Sequence, residues 1–255
     1  MEFFQSQGAR IAFVDLPPSG EDRDEPIVLI HGFASNHAVN WSSTLWTQTL
    51  TRDGRRVIAF DNRGHGQSEK FHDAASYSLL RMAGDVLALM DHLGVASADV
   101  MGYSMGARIT SFLAADHPGR LRSAIFGGLG MRLLMSDPNY LAIVEAMEAP
   151  SLDALSDPLQ RSFRAFAEQT KSDLAALAAC MRGTRELLTV EEAAAIRVPV
   201  LVAAGTRDPL ARDYRELAEL ISGAQLLEIP NRDHNLAVGD KVYKQGVLEF
   251  LRRRP

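Results

Sequence analysis

Hydrophobic positions along the chain alternate between two spacings. Short, nearly continuous apolar runs cover residues 27–31, 57–60, 100–103, 122–126, 198–204 and 225–229. The length and bounding turn residues of the first four fit strands buried on both faces, and the last two complete the sheet. Between them the spacing widens to that of helices. Residues 79–93 carry Leu79, Met82, Val86, Leu87, Leu89, Met90 and Leu93 and stop at Gly94. A second helical stretch, 105–116, stops before Pro118. A third, 209–221, opens with proline in its first turn, and a fourth, 238–252, closes the chain. Strands alternating with helices predict an α/β fold, a mostly parallel central sheet flanked by helices. The start is different: runs 3–6 and 10–16, split at Gly8, predict an antiparallel hairpin. The proline- and acid-rich stretch 17–26 predicts a solvated loop.

Residues 131–195 interrupt this alternation with no strand pattern. They predict short helices over 138–149, 158–169, 173–181 and 189–195, with Asp157 before Pro158 and Ser172 before Asp173 as start signals. The expected organisation is a core of residues 1–130 and 196–255 with a helical cap, or lid, of residues 131–195 over the strand ends. Phe163 and Phe166 lie three apart and share one helix face, so they are candidates to line a pocket beneath that cap. Packing between cap and core is their other possible role.

Composition narrows the function classes. Apolar residues make up 46% and charged residues 23% of the 255 positions, which is ordinary for a soluble globular protein. A net charge of -5 argues against nucleic acid as a partner. Arg252-Arg253-Arg254 is expected to be solvated and to cap a last helix. No run approaches the ~18 apolar residues of a membrane span, and the first residues lack the pattern of a secretory signal. Cys180 is the single cysteine, so no internal disulfide forms. The expectation is a cytoplasmic protein with no membrane partner. His37, His72, His92 and His117 lack ligand spacing, so no metal is expected. No Gly-x-Gly-x-x-Gly follows a strand, so no dinucleotide or other cofactor is expected either.

The most informative motif is Gly102-Tyr103-Ser104-Met105-Gly106, set between a strand and a helix. Such a turn is so tight that the serine is strained and its neighbours must lack bulk. The hydroxyl is then held at the sheet's edge, beside free helix amides. Other landmarks follow strand ends: His31-Gly32, the loop Asp61-Asn62-Arg63-Gly64-His65-Gly66-Gln67-Ser68, then Asp208 and His234. On these motifs the chain resembles the α/β-hydrolase family over nearly its whole length. The resemblance implies a catalytic triad in the order Ser104, Asp208, His234. It also implies an oxyanion hole from the backbone amides of Phe33 and Met105. Physically, the serine needs a base to take its proton, and the imidazole needs a carboxylate to fix its tautomer. Asp213 and Asp233 compete with Asp208 for that last role. Asp213 would lie within a helix, and Asp233 adjoins His234 too closely for a good ring-orienting bond. His31, His65 and Asp61 read as the internal scaffold of their loops.

Serine at the elbow separates this chain from family members that carry aspartate there, the epoxide hydrolases and haloalkane dehalogenases, or cysteine, the dienelactone hydrolases. The resemblance implies a serine esterase acting on a small, apolar carboxylic ester, lactone or thioester. Two alternatives stand beside it. Hydrolases of ring-cleavage diketones, which break a carbon–carbon bond, typically have asparagine and glycine where Tyr103 and Ala107 stand here. A non-catalytic ligand-binding protein on the same fold is the other. Arg108, Arg182 and Arg185 are candidates to hold a substrate carboxylate.

Overall fold

The computed structural model describes residues 1–136 and 139–254. Among them an eight-stranded sheet runs in the order β1-β2-β4-β3-β5-β6-β7-β8. Strands β1 (Glu2–Ser6) and β2 (Ala9–Leu16) form the antiparallel hairpin. β3 (Ile27–Ile30), β4 (Val57–Phe60), β5 (Ala98–Tyr103), β6 (Leu121–Gly127), β7 (Val200–Gly205) and β8 (Gln225–Ile229) pair in parallel. Every residue of β3, β4, β5 and β7 is buried, as continuous apolar runs require.

Register brings the strand ends together. Ile30 pairs with Phe60 on one side and Gly102 on the other, Tyr103 with Gly127, and Gly205 with Ile229. The loops after β3, β4, β5, β7 and β8 therefore leave the same edge. The chain runs from β3 to β4 on one side and then to β5 on the other, so a topological switch point lies at β3. In open α/β sheets such a crevice is where ligands bind.

Helices cover both faces: α1 (Trp46–Arg52), α2 (Leu79–His92), α3 (Met105–Asp116), then α4 (Tyr140–Glu148), α5 (Pro158–Gln169), α6 (Leu174–Gly183) and α7 (Val190–Ala194) between β6 and β7. α8 (Tyr214–Leu220), α9 (His234–Ala237) and α10 (Lys241–Arg253) complete the chain. One apolar cluster, with Val28, Ile58, Val100, Phe112 and Leu217, fills one face of the sheet. A second, with Trp41, Trp46, Met101, Tyr243 and Phe250, fills the other. A third joins α4, α5 and α6 to Ala34, which lies in the loop after β3. α6 is shared: Leu177 and Ala178 belong to the third cluster, Ala179 and Cys180 to the first. Burial pushes the Cys180 thiol up to about 12, as befits a packing residue.

Capping explains most helix boundaries. Asp157 accepts from the Gln160 amide, Asp173 from that of Ala176, and Thr189 forms a capping box with Glu192. Two helix starts differ by more than a residue from the sequence reading. α8 starts at Tyr214 rather than at 209, because Asp208 accepts the Leu210 amide at 2.8 Å and turns the intervening chain aside. The 238–252 helix starts later, at Lys241 after the Asp240 cap, and α9 precedes it as a separate turn. The helix read from 138 is described from Tyr140, its predicted first residue lying outside the described residues. α1 and the π-helical turn Ala38–Ser42 carried no periodic signal long enough to read.

Of the C-terminal arginines, Arg252 and Arg253 are exposed in the last turn of α10 as expected, and Arg254 departs from expectation. Arg252 pairs with Asp53, and Arg254, largely buried, pairs with Asp99 at 3.0 Å and with Glu25. Arg254 thus ties the chain end to β5 instead of being solvated. No helix among the described residues is long and apolar enough to cross a membrane.

Candidate active site

Ser104 sits between β5 and α3 with φ 55° and ψ -115°, a conformation that L residues adopt only under constraint. The glycines on either side permit it. A Cβ on Gly102 would lie 2.1 Å from the Gly106 carbonyl oxygen, and one on Gly106 would lie 2.0 Å from that of Ile30. Neither position has room for any side chain. The Ser104 amide donates to the Gly127 carbonyl at 2.8 Å, which fixes the turn to the end of β6. Met105 is the first residue of α3, where amides have no partner within the helix.

His234 opens α9 after β8. Its Nδ1 lies 2.7 Å from Oδ2 of Asp208. The Asp208 side chain is fully buried, and its Oδ1 accepts the Leu210 amide. Of the three carboxylates considered from sequence, the structure brings Asp208 to the imidazole. Asp213 lies at the start of α8, and Asp233 spends Oδ1 on the amides of Asn235 and Leu236. Ser104 and His234 line one cavity of about 530 Å³. Phe33, Phe163 and Phe166 line the same cavity, and Met105, which follows Ser104 in sequence, is buried.

Residues whose roles no motif announces also shape the site. Asn40, in the π-helical turn, accepts the Gly32 amide at 3.1 Å through Oδ1, while its buried Nδ2 has no partner among the described residues. Tyr103 donates its hydroxyl to the His234 carbonyl at 2.6 Å, and its ring lies 5.2 Å from the imidazole. Both act through tertiary contacts, so neither left a local signal. The loop after β3 is also held by the helical insertion. The Phe33 and Phe163 rings lie 6.2 Å apart, and the Thr170 hydroxyl is 2.9 Å from the Ala34 carbonyl.

Beneath the cavity lies a buried histidine layer. His31 Nδ1 is 2.7 Å from the Gly32 carbonyl, so it carries the proton and donates, and Nε2 accepts the Asn62 amide at 2.9 Å. His65 donates through Nδ1 to the Arg63 carbonyl at 2.9 Å. Both rings are thus held as neutral scaffold. Burial pushes His31 down to about 4 and His65 to about 3. Burial opposes ionisation of Asp61, but the His37 hydrogen bond, the neighbouring imidazoles and the Gln67 amide outweigh it and hold the carboxyl at about 2.

These shifts set an acid limit. An unfolded chain protonates each imidazole below about 6.5, whereas the folded chain does not until about 4 and about 3. The unfolded state therefore binds more protons in that window, so stability is full above about 6.5 and falls below it. Asp61 acts lower, its contribution being lost only as pH falls from about 3.9 toward 2. Moving from pH 7 to pH 5 should cost roughly 2 kcal/mol for each buried ring, measured by urea unfolding. An unchanged unfolding free energy would contradict this.

The arginines raised as carboxylate holders are engaged elsewhere. Arg182 pairs with Glu148, Arg185 lies over the Tyr140 ring, and Arg108 donates to the Glu186 carbonyl at 2.9 Å. Among the described residues no group of three histidines, cysteines or carboxylates is placed to hold a metal ion.

Comparison with known proteins adds four likenesses. The model of the alpha/beta hydrolase fold family matches residues 25–195. Epoxide hydrolase B of Mycobacterium tuberculosis is 33% identical over 139 residues, 52% of this chain and 37% of that protein. The chain thus spans little more than a third of that relative's length. 3-oxoadipate enol-lactonase 1 of Acinetobacter baylyi is 26% identical over 206 residues, covering 75% of this chain and 74% of that one. The solved structure of a hydrolase from Pseudomonas aeruginosa PA01 matches with a TM-score of 0.78 at 25% identity, covering 98% of this chain and 97% of that one.

Proposed function

The chain belongs to the alpha/beta hydrolase fold family, and within it we propose a serine hydrolase that cleaves a small, apolar carboxylic ester or lactone through an acyl-enzyme. The observation that carries this reading is that His234, whose Nδ1 lies 2.7 Å from a buried Asp208 carboxylate, lines one cavity with a conformationally constrained Ser104.

Asp208 accepts the Nδ1 proton, which leaves Nε2 of His234 as the base. Nε2 takes the Ser104 proton as Oγ attacks the acyl carbon. The resulting oxyanion is stabilised by the amides of Met105 and Phe33. His234 then returns the proton to the leaving oxygen, the alcohol departs, and water repeats the sequence to release the acid. Serine in place of a nucleophilic aspartate supports this over the chemistry for which the mycobacterial relative is named. The enol-lactonase relative is named for opening a cyclic ester, the bond type proposed here.

Residues 131–195 serve as the lid of a core made of residues 1–130 and 196–255. Leu159, Phe163 and Phe166 of α5 lie on its cavity side, so the lid sets substrate size and excludes water. The test is a series of 4-nitrophenyl esters from acetyl to octanoyl, which should show saturable turnover with a preferred length. Phe163→Ala or Phe166→Ala should raise the ratio of octanoyl to butyryl kcat/KM by roughly tenfold. An unchanged ratio accompanied by lost stability would reassign these rings to packing alone.

A further inference from the structure

Resting on the serine hydrolase reading, we infer that the cavity takes a substrate uncharged on both its acyl and its alcohol sides. Among the described residues that line the cavity, the titratable ones are His234, Asp233 and Tyr103, the last kept neutral by burial with its hydroxyl donated to the His234 carbonyl, and none is lysine or arginine. The remaining polar lining is neutral, chiefly Ser162, Gln169, Thr44 and Asn235.

The helix that forms one wall makes the point most clearly. α5 carries two arginines, and both are committed away from the cavity. Arg161 donates to the carbonyls of Leu152 and Leu155 at 2.8 and 2.9 Å. Arg164, buried, donates to those of Ala146 and Ala149 at 2.9 and 2.7 Å and pairs with Glu168. The face at Leu159, Ser162, Phe163, Phe166 and Gln169 is left apolar or neutral. On the opposite rim Arg232, next to Asp233, is paired with Asp240 at 2.6 Å. The one fixed charge on the lining is thus a carboxylate, already holding the α9 amides.

A substrate carboxylate entering this space would lose water without gaining a counter-charge, and would meet Asp233 besides. Desolvation of an unpaired ion and like-charge repulsion both oppose it. A neutral amide of the same shape would keep its hydrogen bonds through Ser162 or Gln169.

The experiment uses matched esters. On the acyl side these are the 4-nitrophenyl esters of 6-methylheptanoic acid, adipamic acid and adipic acid, where the isopropyl, amide and carboxylate ends are close in shape. On the alcohol side they are 4-carbamoylphenyl butyrate and 4-carboxyphenyl butyrate. Each anionic ester should fall at least ~100-fold below its neutral counterpart in kcat/KM. Gln169→Arg or Ser162→Arg should raise adipate ester turnover at least ~10-fold relative to the 6-methylheptanoate, since the new cation pairs the carboxylate. Asp233→Asn, which retains a capping side chain, should narrow the discrimination. An anionic ester turned over within about 3-fold of its neutral match would overturn the inference while leaving the hydrolase reading intact. Loss of turnover of every ester would instead overturn the hydrolase reading. Equilibrium dialysis of the same esters against the Ser104→Ala protein then decides charge selection without catalysis: preferential binding of the neutral esters supports it, and equal binding overturns it.

Discussion

Ser104→Ala should lower ester turnover by at least ~10³-fold and leave the protein folded. The hydroxyl is the proposed attacking group, and the substitution removes it without adding bulk where none fits. The Cβ stays, so the backbone at φ 55° is asked to do nothing new. Residual activity would come from the oxyanion amides and from binding, which the variant keeps. Ser104→Gly should be equally inactive and no less stable, since glycine adopts a positive φ without the cost a side chain carries. Circular dichroism and urea unfolding beside the kinetics separate lost chemistry from lost fold. Near-normal turnover by either variant would remove serine catalysis from the account.

Asp208→Asn should cost about 10⁴-fold in kcat, and the local hydrogen bonds say why. Oδ1 accepts the Leu210 amide at 2.8 Å and Oδ2 faces His234 Nδ1 at 2.7 Å. To keep the Leu210 bond, an asparagine must turn its oxygen to that amide and its NH₂ to the imidazole. Nδ1 then has to accept, the ring proton moves to Nε2, and Nε2 can no longer take the Ser104 proton. The fold should survive, because the side chain keeps its shape and its backbone bond. Asp213→Asn should stay within a few-fold of the parent, since Asp213 lies at the start of α8. An active Asp208→Asn protein would break the link between the observed carboxylate–imidazole contact and catalysis.

How far these residues could be read from sequence depended on whether their job is local. Gly102 and Gly106 had to be glycine for steric reasons that a five-residue motif contains, and continuous apolar runs announced the central strands. Asp208 and His234 could be proposed because each follows a predicted strand end, in the chain order that the family resemblance implies. Asn40 and Tyr103 were not, because each works across the fold: Asn40 reaches the Gly32 amide and Tyr103 reaches the His234 carbonyl, 131 positions away. Pro209 misled for a related reason. Proline suits a first helical turn, but Asp208 captures the Leu210 amide and delays the helix to Tyr214. Arg254 looked like a solvated end until the fold placed Asp99 and Glu25 beside it. Burial likewise decides the protonation of His31 and His65, and the sequence alone carries no measure of it.

The central claim is that Ser104 is a nucleophile activated by His234, and covalent trapping tests it most directly. The protein would be treated with an aryl phosphonate directed at activated serines and digested, and the modified peptide would be located by mass spectrometry. The account predicts one adduct per chain, on Ser104, formed with loss of esterase activity and greatly slowed in His234→Ala. A folded protein that hydrolyses esters while Ser104 stays unmodified, or that carries the adduct on another residue, would contradict it.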